Sequence, residues 1–179
     1  MRPTRMTRAE SREYTRRVLL DAAALCIAEQ GLAASSVEDI VARAGYTRGA
    51  FYSNFGSKRE LFVELLRVKH RDIQENIETL LQDAAVSSEP VQHQFALLYA
   101  RCYSSSVDYV VWAEARLQAE RDADLREHVE AMCVERRDMI ARFLDRGSKS
   151  RGTGVAASSA DRARVVIAIM DGLRYLGRS

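Results

Sequence analysis

Between Ser36 and Lys58 the chain reads SVEDIVARAGYTRGAFYSNFGSK, which carries the signals for two short helices and the turn that joins them. Val37, Ile40, Val41 and Ala44 recur at i, i+3, i+4 and i+7, the spacing that lines one face of a helix. Ser36 stands where an N-cap hydroxyl accepts from a backbone N–H two or three residues on, and Glu38 and Asp39 sit at the positive end of the helix dipole. Gly45 follows directly, and glycine readily takes the left-handed conformation that ends a helix. Thr47 then caps a second helix, with Ala50, Phe51 and Phe55 inward and Arg48, Gly49, Tyr52, Ser53 and Asn54 outward. A chain with this stretch is committed to a helix-turn-helix unit with a small apolar core.

The second helix of such a unit has the dimensions to enter a DNA major groove. Arg and Asn carry the donor geometry that reads guanine and adenine edges, while Ser, Thr and Tyr hydroxyls hold phosphates. The candidate DNA-contacting set is therefore Ser36, Thr47, Arg48, Gly49, Tyr52, Ser53, Asn54 and Lys58, the last as a phosphate-range cation one turn later. Caps, turn glycine, apolar spacing and polar face all agree, which a helical core with an idle polar surface does not require.

These residues also carry a family resemblance. LLDAAALCIAEQG followed by SVEDIVARAGYTRGAFYSNFGSKRELF closely resembles the N-terminal domain of TetR-family transcriptional regulators, over about the first seventy positions. Ile27 replaces a usual Phe, as a smaller core residue, and Tyr46 replaces a small aliphatic, as an extra surface contact. Further on the order is retained more loosely: WAEAR, RDADLR, a glycine loop and an MDGL helix. The resemblance implies an all-α fold, a homodimer, double-stranded DNA as partner and one ligand cavity per subunit. It also implies a further helix beyond MDGL, and this sequence stops at Ser179: either it is a piece of a longer chain or its dimer interface is smaller.

Composition narrows the class. The chain has 179 residues, 47% of them hydrophobic, enough for a substantial core. No apolar run approaches the roughly 20 residues that span a bilayer, and the N-terminus has no signal-peptide h-region, so a soluble cytoplasmic protein without membrane contact is expected. Twelve Lys and Arg stand against eight Asp and Glu through His70, although the whole chain is only +2. Arg2, Arg5, Arg8, Arg12, Arg16 and Arg17 concentrate that excess, as an arm along a phosphate backbone or as a solubilising tail. Cys26, Cys102 and Cys133 are odd in number, far apart and in no C-x-x-C spacing, which argues against a disulfide framework or a thiolate metal site. Cys26 reads as core filler, and a Cys102–Cys133 redox pair is the weaker alternative to buried free thiols. No cofactor is expected.

Periodicity places a first helix over about Thr15 to Gln30, stopped by Gly31. A long fourth begins at the Ser57–Glu60 capping box and carries Leu61, Phe62, Leu65, Leu66, Ile73, Ile77, Leu80 and Leu81. Ser88 and Pro90 start a fifth, Asp108 caps a sixth, a seventh runs from about Ala123 to Arg146, and an eighth from Ser158 to about Tyr175. GSKSRGTGVAASS reads as an exposed loop, without the ending or preceding strand of a phosphate-binding motif. No stretch alternates as a strand does. The expected architecture is all-α, with an arm and helix-turn-helix domain over 1–56 and a ligand-binding and dimerisation domain over 57–179. Val165, Val166, Ile169, Met170 and Leu173 suit an interface.

A ligand cavity between the fourth helix and the fifth to seventh would be mostly apolar with a few polar groups. His70, Tyr99, Tyr103, Trp112, Met132 and Arg136 are its candidate lining, although aromatic and cationic residues at helical spacing are more often core or snorkelling groups. A hydrophobic or amphipathic effector, anionic if Arg136 meets it, would shift the long helix and the reading head away from the DNA-bound spacing. The resemblance favours repression over activation, since occupancy suffices to block a promoter. A DNA-binding regulator without a ligand is the alternative. A hydrolase built on His93, Ser104 and Asp108 lacks a nucleophile elbow, an oxyanion glycine or a metal-spaced His pair.

Overall fold

The computed structural model describes residues 6–83, 89–102, 105–148 and 158–176. Every regular element among them is a helix: α1 (Arg8–Ala34), α2 (Val37–Ala44), α3 (Arg48–Tyr52), α4 (Lys58–Gln82), α5 (Val91–Cys102), α6 (Ser106–Ala119), α7 (Ala123–Ser148) and α8 (Ser159–Leu176). The all-α architecture expected from periodicity is the one observed.

Local chemistry accounts for the boundaries. Thr7 and Glu10 form a reciprocal capping box, Thr7 Oγ1 accepting from Glu10 N at 3.2 Å and Thr7 N donating to Glu10 Oε2 at 2.7 Å. Helix α1 consequently begins at Arg8 and not near Thr15, and Arg8, Arg12, Arg16 and Arg17 ride on a helix instead of an arm. Arg2 and Arg5 lie outside the described residues. Gly31 interrupts α1 with φ 83°, a conformation L side chains rarely adopt, but one further turn follows before Ser35. Ser36 caps α2, and Gly45 closes it in the left-handed region at φ 71°. Ser105, not Asp108, caps α6: its hydroxyl accepts from Asp108 N at 3.2 Å, so Asp108 is a first-turn acid beside the dipole. Ser158 caps α8 through Asp161 N at 3.1 Å. Ser88 and the loop 149–157 are outside the described residues.

Two apolar clusters organise the packing. One joins Leu19, Ile27, Ile40, Phe51, Phe55, Phe62 and Leu66 to Val111, Trp112 and Val129, so the core under α1–α3 continues into α6 and α7 across the expected division at residue 57. The other gathers Ile73, Ile77, Leu98, Ile140, Phe143 and Met170 at the far end of α4. Ile27 is 1% exposed, as its reading as core requires. Tyr46 is half-buried and packs back against that core, its hydroxyl accepting from Thr15 Oγ1 at 3.4 Å.

Candidate nucleic-acid interface and internal cavity

Helix α3 is held from below. Phe51 and Phe55 are 0% and 1% exposed, and the Arg16 guanidinium lies 4.3 Å from the Phe55 ring centre. Arg16 also donates to the Asn54 carbonyl at 2.7 Å, and Arg12 to the Ser53 carbonyl at 3.3 Å, so two α1 arginines tie off the end of α3. Anchoring on that side leaves the other face outward. Thr47 is exposed and caps α3 through Ala50 N at 3.2 Å. Arg48 is exposed, pairs with Glu38 at 2.9 Å and stands 5.9 Å over the Tyr52 ring. Tyr52 is half exposed at 50%, and Ser53 is exposed with its hydroxyl donating to Ala50 O at 2.8 Å. Gly49 is exposed, and a side chain there would meet only Thr47 Oγ1 at an ordinary 3.7 Å, so nothing within this chain requires its bare backbone.

Three of the expected contact residues are occupied within the fold. Asn54 is 8% exposed and turns inward, its amide donating to Ala50 O at 2.8 Å, so it does not face out with Arg48. The reason is position: Asn54 falls past the end of α3, where its side chain serves an α3 carbonyl left without a helical N–H. Lys58 is also turned in, its ammonium donating to Leu32 O at 2.9 Å and Ser35 O at 2.8 Å at the end of α1. A cation at the negative end of a helix dipole is favourable. Ser36 keeps its cap role: its hydroxyl accepts from Asp39 N at 3.0 Å, and its bonds to the Asp39 carboxylate hold that carboxyl below its usual value.

The body holds a cavity of about 230 Å³. Ile73 of α4, Cys102 of α5, Tyr109, Trp112 and Arg116 of α6, Arg136 of α7 and Asp171 of α8 face it, so α8 joins the helices expected to enclose it. Trp112 and Arg136 are among its lining residues. His70, Tyr99 and Met132 are not among its lining residues. His70 is 4% exposed with Nε2 2.9 Å from Glu135 Oε2 and its ring 6.2 Å from that of Trp112, which puts it behind the wall. Met132 belongs to the first apolar cluster and Tyr99 packs on the second, both consequences of which helix face meets α4. Tyr103 lies outside the described residues.

The reading from sequence passed over Tyr109, Arg116 and Asp171. Arg116 donates to Asp171 at 2.7 Å, and Arg136 approaches the same carboxylate at 3.7 Å. The WAEAR and MDGL motifs contained these residues, but nothing local pairs positions 116 and 171. Burial pushes the Cys102 thiol up to about 11, so it stays neutral beside Arg136. Cys26, Cys102 and Cys133 are all free. His93 pairs with Glu89 and Asp108 with Lys69, and Ser104 is outside the described residues. Among the described residues no His, Cys, Asp or Glu group could hold a metal ion, and no helix is long and apolar enough to cross a membrane.

Comparison with known proteins agrees with this geometry. Residues 19–65 match bacterial regulatory proteins of the tetR family. The chain is 38% identical over 71 residues to the HTH-type transcriptional regulator AcrR of Shigella flexneri, covering 40% of this chain and 33% of that protein. It is 37% identical over 89 residues to the HTH-type transcriptional repressor KstR2 of Mycobacterium tuberculosis, covering 44% of each. The matches thus span less than half the length of these relatives. The fold extends further: the transcriptional regulator FadR of Bacillus subtilis, solved with stearoyl-CoA, superposes with a TM-score of 0.72 at 19% identity over 88% of this chain and 84% of that one. The helix-turn-helix segment thus matches the tetR family of bacterial regulatory proteins in sequence, and the helical body shares the fold of the solved regulator FadR.

Proposed function

We propose that this protein is a cytoplasmic, DNA-binding transcriptional regulator that acts as a homodimeric repressor and releases a palindromic operator when a small ligand fills the α4–α8 cavity. The observation that carries the reading is the face of α3: Thr47, Arg48, Gly49, Tyr52 and Ser53 are exposed together over Phe51 and Phe55, which are fully buried. A rigid helix that presents donors and bare backbone outward is what major-groove readout needs. In this reading the unit over 1–56 reads DNA and the helices from 57 onward answer the ligand. Arg48 reads base edges, while Thr47, Tyr52 and Ser53 hold phosphates. Asn54 and Lys58 support the head from within, and Ser36 sets the start of α2. Two heads about 34–36 Å apart meet successive major grooves.

The regulatory part is supported by the cavity and by the relatives' names: KstR2 is a repressor and the superposed FadR was solved with stearoyl-CoA. A ligand matters only if it favours one arrangement of the body over the other. Selection of bound duplexes from a random pool tests the DNA reading. The wild-type protein is expected to enrich a palindrome, and Arg48→Ala to relax one position of each half-site by about 1–3 kcal/mol. Enrichment of no sequence by the wild-type protein would sink the proposal, and an unchanged motif with Arg48→Ala would remove Arg48 from the base-reading role.

A further inference from the structure

With Asn54 and Lys58 turned into the fold, base reading by the head rests on where the Arg48 guanidinium points. Arg48 is the first residue of α3, and its side chain is restrained from two sides. Nη1 stands 2.9 Å from Oε1 of Glu38, in the first turn of α2. The guanidinium carbon lies 5.9 Å from the centre of the Tyr52 ring, one turn further along α3. Both restraints are themselves anchored. Tyr52 meets the fully buried Phe51 edge-on, their ring centres 5.2 Å apart and their planes at 81°. Glu38 is placed by the Ser36–Asp39 capping box that starts α2, and the left-handed Gly45 turns the chain back towards α3.

The Arg48–Glu38 pair does little for stability. Its side chains are 62% and 58% exposed, and water screens an ion pair as open as this one. Nor does the cap need Glu38, because Asp39 completes it through its bonds to Ser36. A carboxylate beside a reading helix also repels phosphate, which weakens binding to every duplex. Its effect on Arg48 is more selective. Glu38 offsets the charge that would draw an unpaired arginine to the nearest phosphate, and it engages one end of the fork while the other N–H groups stay open. A guanidinium held between a carboxylate and a ring has given up rotamer freedom before DNA arrives, so docking it on a base costs less.

We propose that Glu38 is the positioning residue for base recognition by Arg48: it fixes the guanidinium over Tyr52, from where the open part of the fork meets O6 and N7 of a guanine, and it keeps that guanidinium off the phosphates. The proposal deepens the DNA-reading function above and rests on it. Glu38 itself touches no base. It acts through Arg48, lowering affinity for DNA in general and raising selectivity at one base pair of each half-site.

Selection of bound duplexes from a random pool, run in parallel on the wild type, Arg48→Ala, Glu38→Ala and the double variant, tests this. Glu38→Ala is expected to lower selectivity about fivefold at the half-site position that Arg48→Ala relaxes, and at no other. Affinity for a non-operator duplex should rise, and its salt slope should steepen by about 0.9 as Arg48 turns to a phosphate. The double variant should give the motif of Arg48→Ala alone, since without Arg48 there is nothing for Glu38 to position. As a first-turn acid Glu38 also favours the α2 dipole. Loss of that role alone would lower the urea midpoint and weaken binding to all duplexes alike. Glu38→Gln, which keeps the side-chain volume, carries the same comparison if Glu38→Ala does not fold. Uniform weakening, a motif unchanged by Arg48→Ala or by Glu38→Ala, relaxation at a different position, or additive loss in the double variant overturns the proposal. A wild-type protein that enriches no sequence refutes the DNA reading itself, whereas an enriched palindrome indifferent to Glu38 refutes only the role given to Glu38.

Discussion

Lys58 illustrates how a side chain can look like one thing in sequence and do another in the fold. Beside the reading helix and one position past a cap, it has the look of a phosphate ligand. Its ammonium instead meets Leu32 O and Ser35 O, residues more than twenty positions earlier. Removing it leaves the last carbonyls of α1 without their charged donor, a loss of about 1–3 kcal/mol. Lys58→Met is therefore expected to lower the urea midpoint while leaving the salt dependence of DNA affinity as it is. A phosphate contact would behave in the opposite way, with an unchanged midpoint and a salt slope smaller by about 0.9. Asn54 makes the same point. Its place after Phe51 and Tyr52 suggests a base reader, but the end of α3 claims its amide. Side chains at helix ends have competing local duties that residue type alone does not rank.

Among the elements, α6 ties the cavity to the head. Tyr109, Trp112 and Arg116 face the cavity, and Glu114, on the same helix, accepts from Leu32 N at 3.2 Å beside the Gly31 break in α1. Gln118 donates to the same Glu114 oxygen at 3.1 Å and holds it in place. Arg59, at the start of α4, forms a two-pronged pair with Asp122 at 2.7 and 3.0 Å, in the turn after α6. The long α4 is thus not the sole mechanical link between body and head. Glu114→Ala is expected to speed hydrogen exchange at the Leu32 amide and the short turn after it, while amides in the middle of α1 keep their protection. Uniform acceleration along α1 would mean that the substitution destabilised the whole domain and that Glu114 has no local grip.

Over the whole molecule, α8 is the helix that the body does not finish covering. Val165, Ile169, Leu173 and Leu176 are 58, 48, 47 and 65% exposed along one stripe, while Met170 is 0% exposed and Val166 packs inward. Of the residues expected to line an interface, Val165, Ile169 and Leu173 are thus the ones available for it. Val134, 45% exposed on the packed neighbour α7, adds a further apolar group. A second copy of this chain is the proposed cover. Ile169→Asp is expected to convert a dimer to a monomer in sedimentation, because an aspartate buried without a partner is costly. A dimer that survives the substitution, or a wild-type chain that sediments as a monomer, would place the interface elsewhere. The loss of paired heads should weaken operator binding far more than any single phosphate contact, since each half-site alone has few contacts.

Much of the fold was legible because helix signals are local. Caps such as Ser36, Ser57 and Ser158, the left-handed Gly45 and the 3.6-residue apolar period act within four or five positions and do not depend on the rest of the chain. The one long miss, the start of α1, was also local: the Thr7–Glu10 box was present but hidden within a basic run. The same periodicity left Arg48, Gly49, Tyr52 and Ser53 outward, and only Asn54, past the end of α3, turned in against it. The cavity was not legible in it, because a void is bounded by side chains from five helices, and helical spacing tells which face is apolar but not what that face meets. Arg116 and Asp171 are 55 positions apart and Leu32 and Glu114 are 82 apart. Such pairs exist only once the helices have packed, and it is that packing that made Trp112 and Arg136 cavity residues and left His70 and Met132 in the core.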